Sequence, residues 1–344
     1  MASPIQPTAD LLLARGKDQE NWLRAAEETT LDHFGNEVFV RAVVEVSNFC
    51  RENCSYCGMR RDNRTLNRFR AQVDQLKELL LEHRPASVTD INIQAGEDPV
   101  AVRQVVLPLL RALRAETNLG LSVCVGTLSP DLYQELQAAG ASIYIMKFEL
   151  GDPAEYERHH APGNQAERLR HIRLLAGAGW RVSSGFIAGL PGQTTESLLT
   201  SLRLAVELPL SGCSVSPFIP GDETPLRGAP MSDVETVLNC MAALRLMRPD
   251  WVIPSVSALN LAAPGEGYRR GLRAGANLAT INLTPDGLRN DYLLYTRERF
   301  IMSEERILAA IAAERRIPSR RGLAAYYREQ DALVRAATTP AVQA

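Results

Sequence analysis

The sequence predicts an α/β chain folded as a (β/α)8 TIM-type barrel, with helical extensions before and after it. Three observations predict this. Eight short runs rich in β-branched and apolar residues succeed one another, at 41–47, 90–95, 121–126, 142–149, 181–187, 213–218, 252–258 and 278–284, each of strand length. Helical apolar patterns separate them, among them 73–83, 102–116, 130–139, 165–178, 196–207 and 233–247, and such alternation is the mark of a parallel sheet covered by helices. No Gly/Ser-rich linker or break in composition divides the 344 residues, a length that one large barrel fills.

Taken in order, residues 1–40 form an N-terminal helical extension. Apolar residues recur at helical spacing from Leu11 to Ala26, and 29–35 closes the pattern at Gly35. The barrel occupies 41–300. The tail, 301–344, is helical again from Ser303 to Gln330, and 338–344 is expected to fray. The start, Met1-Ala2-Ser3-Pro4-Ile5, shows no basic stretch followed by an apolar one, so no secretory signal is read there. No apolar run reaches bilayer length. A formal charge of −2 with no basic tract gives no electrostatic footprint for nucleic acid. Clustered thiols without a sign of export fit a reducing cytoplasm.

Several strands break the rule that such a barrel fills its lumen with Val, Ile and Leu. Polar residues stand two apart at Ser122 and Cys124, Lys147 and Glu149, Ser214 and Ser216, Ser255 and Ser257, and Thr280 and Asn282. Residues two apart share a face. Outer faces pack on helices, so these point inward, to a wet cavity for a polar ligand. Small hydroxyls bonded to backbone are the alternative at any single position.

The loop after the first strand reads Asn48-Phe49-Cys50-Arg51-Glu52-Asn53-Cys54-Ser55-Tyr56-Cys57-Gly58. Three of the six cysteines fall here, spaced C-x3-C-x2-C. A zinc site wants four ligands, and the first histidine after the cluster is His83. A disulfide framework wants an even count. Three thiolates suit a [4Fe–4S] cluster with one iron open to a ligand. Cys50, Cys54 and Cys57 are therefore the predicted metal ligands and catalytic centre.

This stretch, with Val44-Glu45-Val46-Ser47 before it and Arg60-Arg61-Asp62-Asn63 after it, resembles the radical S-adenosylmethionine (SAM) superfamily. Within it, the run resembles the branch that holds biotin synthase, methylornithine synthase and the [FeFe]-hydrogenase maturase HydE, nearest the last. The resemblance extends from about Phe39 to about Pro285. It implies a [4Fe–4S] cluster and SAM as cofactors, with one electron breaking a sulfur–carbon bond to give methionine and a 5′-deoxyadenosyl radical. It implies that Gly96-Glu97 holds the SAM amino group, although Asp98-Pro99 also reads as a helix start. Glu149 falls where a carboxylate meets SAM, and Arg168 where a guanidinium meets the SAM carboxylate. The run Gly185-Phe186-Ile187-Ala188-Gly189-Leu190 resembles the adenine-facing strand, which brings in Ile187 and Leu190. Tyr56 is an aromatic for the adenine or for ordinary packing.

The substrate is less marked. HydE carries an arginine where Lys147 stands, so the positive charge is kept. Lys147 with the hydroxyls of Ser122, Ser257 and Thr280 is the candidate site for a small anionic, amino-acid-like substrate. Ser183 stands where biotin synthase has a strand cysteine, so a single cluster is expected. Methylornithine synthase would place an arginine near Ser214 and an aspartate near Ala258; neither is present. The expected activity is HydE-like radical chemistry. The alternatives are an amino-acid mutase or a C–C or C–S bond-forming enzyme of natural-product or cofactor biosynthesis, and a non-catalytic iron–sulfur or SAM-binding sensor. The expected partners are the small-molecule substrate and an electron donor such as flavodoxin or ferredoxin.

Overall fold

The computed structural model describes residues 6–296 and 302–338. The expectations about Met1-Ala2-Ser3-Pro4-Ile5 and about fraying at 339–344 fall outside the described residues. β1 (Glu37–Ser47), β2 (Asp90–Ala95), β3 (Gly120–Cys124), β4 (Ile143–Ile145), β5 (Arg181–Ala188), β6 (Gly212–Pro217) and β7 (Leu278–Asn282) form a curled parallel sheet in the order β6-β5-β4-β3-β2-β1-β7. A partial (β/α)8 barrel is thus present.

One expected strand is a correction. The run 252–258 is only a stub, in which Val252 bridges to Gly212 of β6 and Pro254 bridges to Leu278 of β7. Pro254 has no N–H to give a ladder, and the chain turns into a short helix at Leu259–Ala262. The stub still stands between β6 and β7 in the ring. A further strand, β8 (Ile317–Pro318), pairs with Glu37 and Val38 at the start of β1. β1 itself begins before residue 41 because the helix Gly16–Phe34 stops at Gly35, whose φ is 65°. The short helices Pro153–Arg158, Gly267–Arg273 and Asp286–Arg289 escape the sequence reading because so few residues show no periodicity. The helical run 99–116 contains a π turn at Val102–Val106 just before Pro108. Proline there lacks an N–H and its ring would clash with the carbonyl four residues back, which the wider turn relieves.

Alternation along the strands sets up two environments. Val38, Val40, Ala42, Val44 and Val46 of β1, Ile91 and Ile93 of β2, and Leu121 and Val123 of β3 are buried in the shell against the helices. The intervening Arg41, Val43 and Glu45, Asn92 and Gln94, and Cys124 line a central cavity. The two sets stand on opposite faces because the strand period is two.

The barrel floor is closed by the C-terminal helix Leu323–Thr338. Leu323, Tyr326 and Tyr327 pack with Phe34, Phe39, Ile143, Val252 and Leu278. The Leu323 N–H donates to the Asp90 carboxylate at 2.9 Å and 3.1 Å. The Tyr326 and Tyr327 hydroxyls donate to the Asp250 and Ser211 carbonyls. With the floor plugged, the cavity faces the C-terminal ends of the strands, where barrels of this kind place their chemistry. Among the described residues, no helix is long and apolar enough to cross a membrane.

Candidate active site

The cysteine loop is held by its neighbours on both sides. Asn48 anchors its start: its amide donates to the carbonyls of Asn67 and Asp291, both at 2.7 Å, and its Oδ1 accepts from Phe69 N–H. The Arg68 guanidinium gathers the carbonyls of Asn48, Met59, Arg60 and Asn63. Arg70 pairs with Asp98 at 2.7 Å, and the same carboxylate accepts from Ser47 Oγ. Ser55 N–H donates to the His159 carbonyl at 3.0 Å.

The end of β2 lies directly against this loop. Gly96 N–H donates to Ser47 O, Arg51 N–H to Glu97 O, and Glu97 N–H to Cys50 Sγ at 3.4 Å. A Cβ on Gly96 would lie 2.3 Å from the Phe49 carbonyl oxygen and 2.9 Å from Cys50 Cβ. Glycine is what lets the loop close on the strand. Gly96→Ala is therefore expected to push the loop off β2, costing on the order of 1–3 kcal/mol of stability and most of the bound iron. Iron content and a thermal melt on the anaerobic protein check this.

Burial pushes all three thiols up, Cys57 to about 12, and the nearby carboxylates Glu52, Glu97 and Glu149 add to the effect at one or another of them. Three thiolates here need a strong positive charge among them, which iron supplies. Among the described residues, no three His, Cys, Asp or Glu side chains close around a single ion. A cubane does not ask for that, since each thiolate takes a different iron corner and the sulfurs stand apart. The Glu97 N–H on Cys50 Sγ is the kind of contact that steadies a ligating sulfur. The donor set and its surroundings fit a [4Fe–4S] cluster.

The thiols form one wall of a cavity of about 340 Å³. Two ion pairs line the same cavity, Arg168 with Glu97 and Lys147 with Glu149. Arg168, 6% exposed on the helix Gln165–Gly177, donates to Glu97 Oε1 at 2.5 Å, to Thr127 Oγ1 at 3.0 Å and to the Lys147 carbonyl at 2.9 Å. Arg51 holds the other oxygen of Glu97 at 3.2 Å. Lys147 Nζ lies 3.1 Å from Glu149 Oε2, an ion pair without an aligned hydrogen bond, and 3.4 Å from Ser216 Oγ. Glu149 has φ 65°, a left-handed conformation that L side chains rarely adopt. Its backbone holds β4 to β5 beyond the end of β4, since Glu149 N–H donates to Gly185 O and Ile187 N–H to Glu149 O. Such strain gathers where a side chain has to be aimed.

Comparison with known proteins names this arrangement. The family model described as "Radical SAM superfamily" matches residues 44–205. The [FeFe] hydrogenase maturase subunit HydE of Thermotoga maritima is 31% identical over 80% of this chain and 79% of that protein. The chain belongs to the radical SAM superfamily. It is a radical SAM enzyme, with a [4Fe–4S] cluster and SAM as cofactors. The 3-methylornithine synthase of Methanosarcina barkeri is 28% identical over 84% of this chain and 82% of that protein. Biotin synthase of a Picosynechococcus species is 25% identical over 72% of this chain and 70% of that protein. In fold, the crystal structure of methylornithine synthase (PylB) superposes with a TM-score of 0.82 at 23% identity, covering 95% of this chain and 97% of that one.

Within this radical SAM barrel, most residues singled out from sequence meet in one space. Cys50, Cys54, Cys57, Tyr56, Gly96, Glu97, Lys147, Glu149, Arg168, Ile187, Ser257 and Thr280 all line the cavity. Two do not. Ser122 is buried beneath it and donates to Ile91 O and Asn92 Oδ1, so it reaches the cavity only through Asn92. Leu190 supports Ile187 in an apolar cluster with Leu150, Tyr156, Ala161 and Phe218, against which Tyr56 packs. The glycines flanking Ile187 serve chain packing. A Cβ on Gly185 would lie 2.0 Å from Ser214 Oγ, and one on Gly189, at φ 92°, would lie 2.1 Å from Ser232 Cβ.

The cavity also holds residues that the sequence reading missed, notably Arg41, Glu45, Asn92 and Gln94, together with Ser183 at the strand-cysteine position. The alternation that exposed Lys147 and Glu149 is present in β1 and β2 as well, at Arg41 and Glu45 and at Asn92 and Gln94. Arg41 stands apart chemically. Burial depresses its pKa, with Asp90 opposing. Its Nη2 donates to Thr280 Oγ1 at 3.3 Å, and its Nε is buried without a partner.

Proposed function

We propose that this enzyme cleaves SAM reductively and directs the resulting radical at a small anionic, amino-acid-like molecule held in the lumen, in a HydE-like reaction. When bound, the cluster and SAM supply one electron and a sulfur–carbon bond to break, and so the 5′-deoxyadenosyl radical. The chain's own residues bind, orient and screen. Cys50, Cys54 and Cys57 hold the iron. Gly96, Glu97, Glu149 and Arg168 present charge and backbone to the amino and carboxylate groups of SAM, and Tyr56 and Ile187, the latter backed by Leu190, make the apolar bed for its adenine. Glu97 and Glu149 are already neutralised by Arg168, Arg51 and Lys147, so SAM meets balanced pairs rather than naked charge. The plugged floor keeps bulk water from the radical.

The observation that carries the substrate reading is Arg41. Arg41 is half-buried with its Nε enclosed; a guanidinium drawn out of water is costly without an anion to answer it, and Arg41 has no carboxylate in ion-pair distance among the described residues. Lys147 was the expected anion site. Its pairing with Glu149 makes it the second cation of the lumen, with Arg41 the first. Asn92, Ser257 and Thr280 add hydrogen-bonding groups for the remaining polar atoms of an amino acid.

The 28% identity to methylornithine synthase supports a second reading, an amino-acid rearrangement in the same cavity. The two readings share the test. Reduced holoenzyme is given SAM and perdeuterated free amino acids, and 5′-deoxyadenosine is weighed by mass. The expected outcome is faster release and a deuterium-shifted product with an acidic or thiol-bearing amino acid. Arg41→Met should remove that stimulation while leaving SAM binding within about twofold. If no amino acid stimulates release or gives up deuterium, the substrate reading fails.

A further inference from the structure

We propose that His159 is a positioning residue that ties the cysteine loop to the apolar bed beside it, so that the two halves of SAM bind cooperatively. The inference rests on the proposed function, which seats the amino and carboxylate groups of SAM at the charged pairs and its adenine on Tyr56 and Ile187.

The segment 153–163, between β4 and β5, carries the connection. It grips the cysteine loop at two points. Ser55, 6% exposed between Cys54 and Cys57, donates its N–H and its Oγ–H to the His159 carbonyl, both at 3.0 Å. Glu52 Oε2 accepts from Gly163 N–H at 2.9 Å. The same segment meets the bed through Tyr156 and Ala161, which pack with Leu150, Ile187, Leu190 and Phe218. The Tyr156 hydroxyl donates to the Pro162 carbonyl at 2.6 Å and closes the segment on itself. A Cβ on Gly192 would lie 3.1 Å from Arg158 Nη1, so the loop after β5 runs against the end of the helix Pro153–Arg158.

Within this segment the His159 ring meets both neighbours. It is 4% exposed, with Nδ1 3.4 Å from Ser55 Oγ. The carbonyl of Pro191, the residue after Leu190, faces the ring from the other side. Burial lowers the pKa of the ring against the pull of that carbonyl, and Arg158 and His160 add to the lowering. A neutral imidazole has one nitrogen to accept and one to donate. With Nδ1 turned to Ser55, Nε2 is the nitrogen that gives its proton to Pro191. Nε2 is enclosed, and its hydrogen bond is not aligned. A buried polar nitrogen left unanswered is costly, and a small inward shift of 189–192 onto an adenine completes the bond. The completed bond steadies Ser55 and, through it, the thiols on either side. An apolar ring of similar size at 159 would fill the space and make neither contact.

Methionine and 5′-deoxyadenosine are the probes, since the first carries the groups expected at the charged pairs and the second the adenine expected on the bed. They are titrated singly and together into anaerobically reconstituted, oxidised holoenzyme, so that binding is read without turnover. In the parent, bound 5′-deoxyadenosine is expected to tighten methionine about tenfold, an ordinary size for coupling between two sites. His159→Phe should cut that coupling below about twofold, while iron content and the affinity for methionine alone hold within about twofold. His159→Gln keeps a donor and an acceptor and should restore most of it. Should His159→Phe not fold, Ser55→Ala reads the same link from the loop side: it keeps the N–H bond to the His159 carbonyl and should still lower the coupling. The proposal is overturned if the folded variants couple the two probes as the parent does, or if His159→Gln is no better than His159→Phe. It is equally overturned if iron content or methionine affinity falls in step with the coupling, which would mark plain support of the fold. A parent that binds both probes independently sinks the proposal alone. A parent that binds neither counts against the proposed function and takes the proposal with it.

Discussion

Alanine at Cys50, Cys54 or Cys57 is expected to remove the iron and all SAM cleavage. The parent protein, reconstituted without oxygen, should hold about four irons per chain, and each variant close to none. The reason is local. The loop contributes three thiols to one wall of the cavity, and burial holds each of them above the ordinary thiol range. Loss of one ligand leaves two thiols that iron must still deprotonate against that burial. The contrast residues make the test specific. Cys240 is fully buried in the helix shell and Cys124 lines the same cavity from β3. Cys240→Ala should keep its iron and lose only packing. Cys124→Ala should also keep its iron, although its thiol faces the same lumen. Iron near eight per chain, or loss of the cluster in Cys124→Ala, would contradict a single three-cysteine cluster.

The second large effect is on SAM. Arg168→Ala and Glu149→Ala should each weaken SAM binding by on the order of 2–4 kcal/mol, or roughly thirty- to several-hundred-fold, while the cluster spectrum stays intact. The two variants should differ in stability. Removing Arg168 takes the closest cation from Glu97, leaving only Arg51 to answer a carboxylate that is 7% exposed. Breaking a buried pair from one side costs about 3–5 kcal/mol when nothing replaces the partner, and Arg51 should reduce that. Removing Glu149 frees Lys147, whose remaining contact is Ser216 Oγ. Glu149→Ala also puts a smaller residue at a left-handed backbone position that it tolerates no better. Thermal melts separate this loss of fold from loss of ligand, and SAM titration at a temperature well below either melt reads the binding effect alone. Unchanged SAM affinity in both variants would show that the charges around the cavity serve the fold.

Much of the site was legible because its signals are local. Three cysteines in C-x3-C-x2-C fall in one loop, and the loop's place after β1 follows from the strand before it. Polar residues two apart on β6 and β7 line the cavity, because strand period decides which side chains share a face, and Lys147 and Glu149 reach it from just beyond β4. Arg41, Glu45, Asn92 and Gln94 obey the same rule. They were passed over because β1 and β2 otherwise look like ordinary apolar strands. Long-range pairing was not legible. Nothing along the chain says that Arg168 reaches Glu97, 71 residues away. Ser122 looked like a lumen hydroxyl by alternation, but Asn92 stands above it and takes its bond. The stub at 252–258 looked like a strand because its side chains are right for one, and the proline at 254 alone argued against it.

The central claim is that the three-cysteine wall and the charged pairs that share its cavity together support reductive cleavage of SAM. Anaerobic reconstituted protein, reduced with dithionite and given SAM, measures it directly by chromatography of the products. The account expects 5′-deoxyadenosine and methionine in equal amounts, formed by the parent and not by Cys54→Ala. SAM left intact by a protein that carries a full cluster and binds SAM would contradict it.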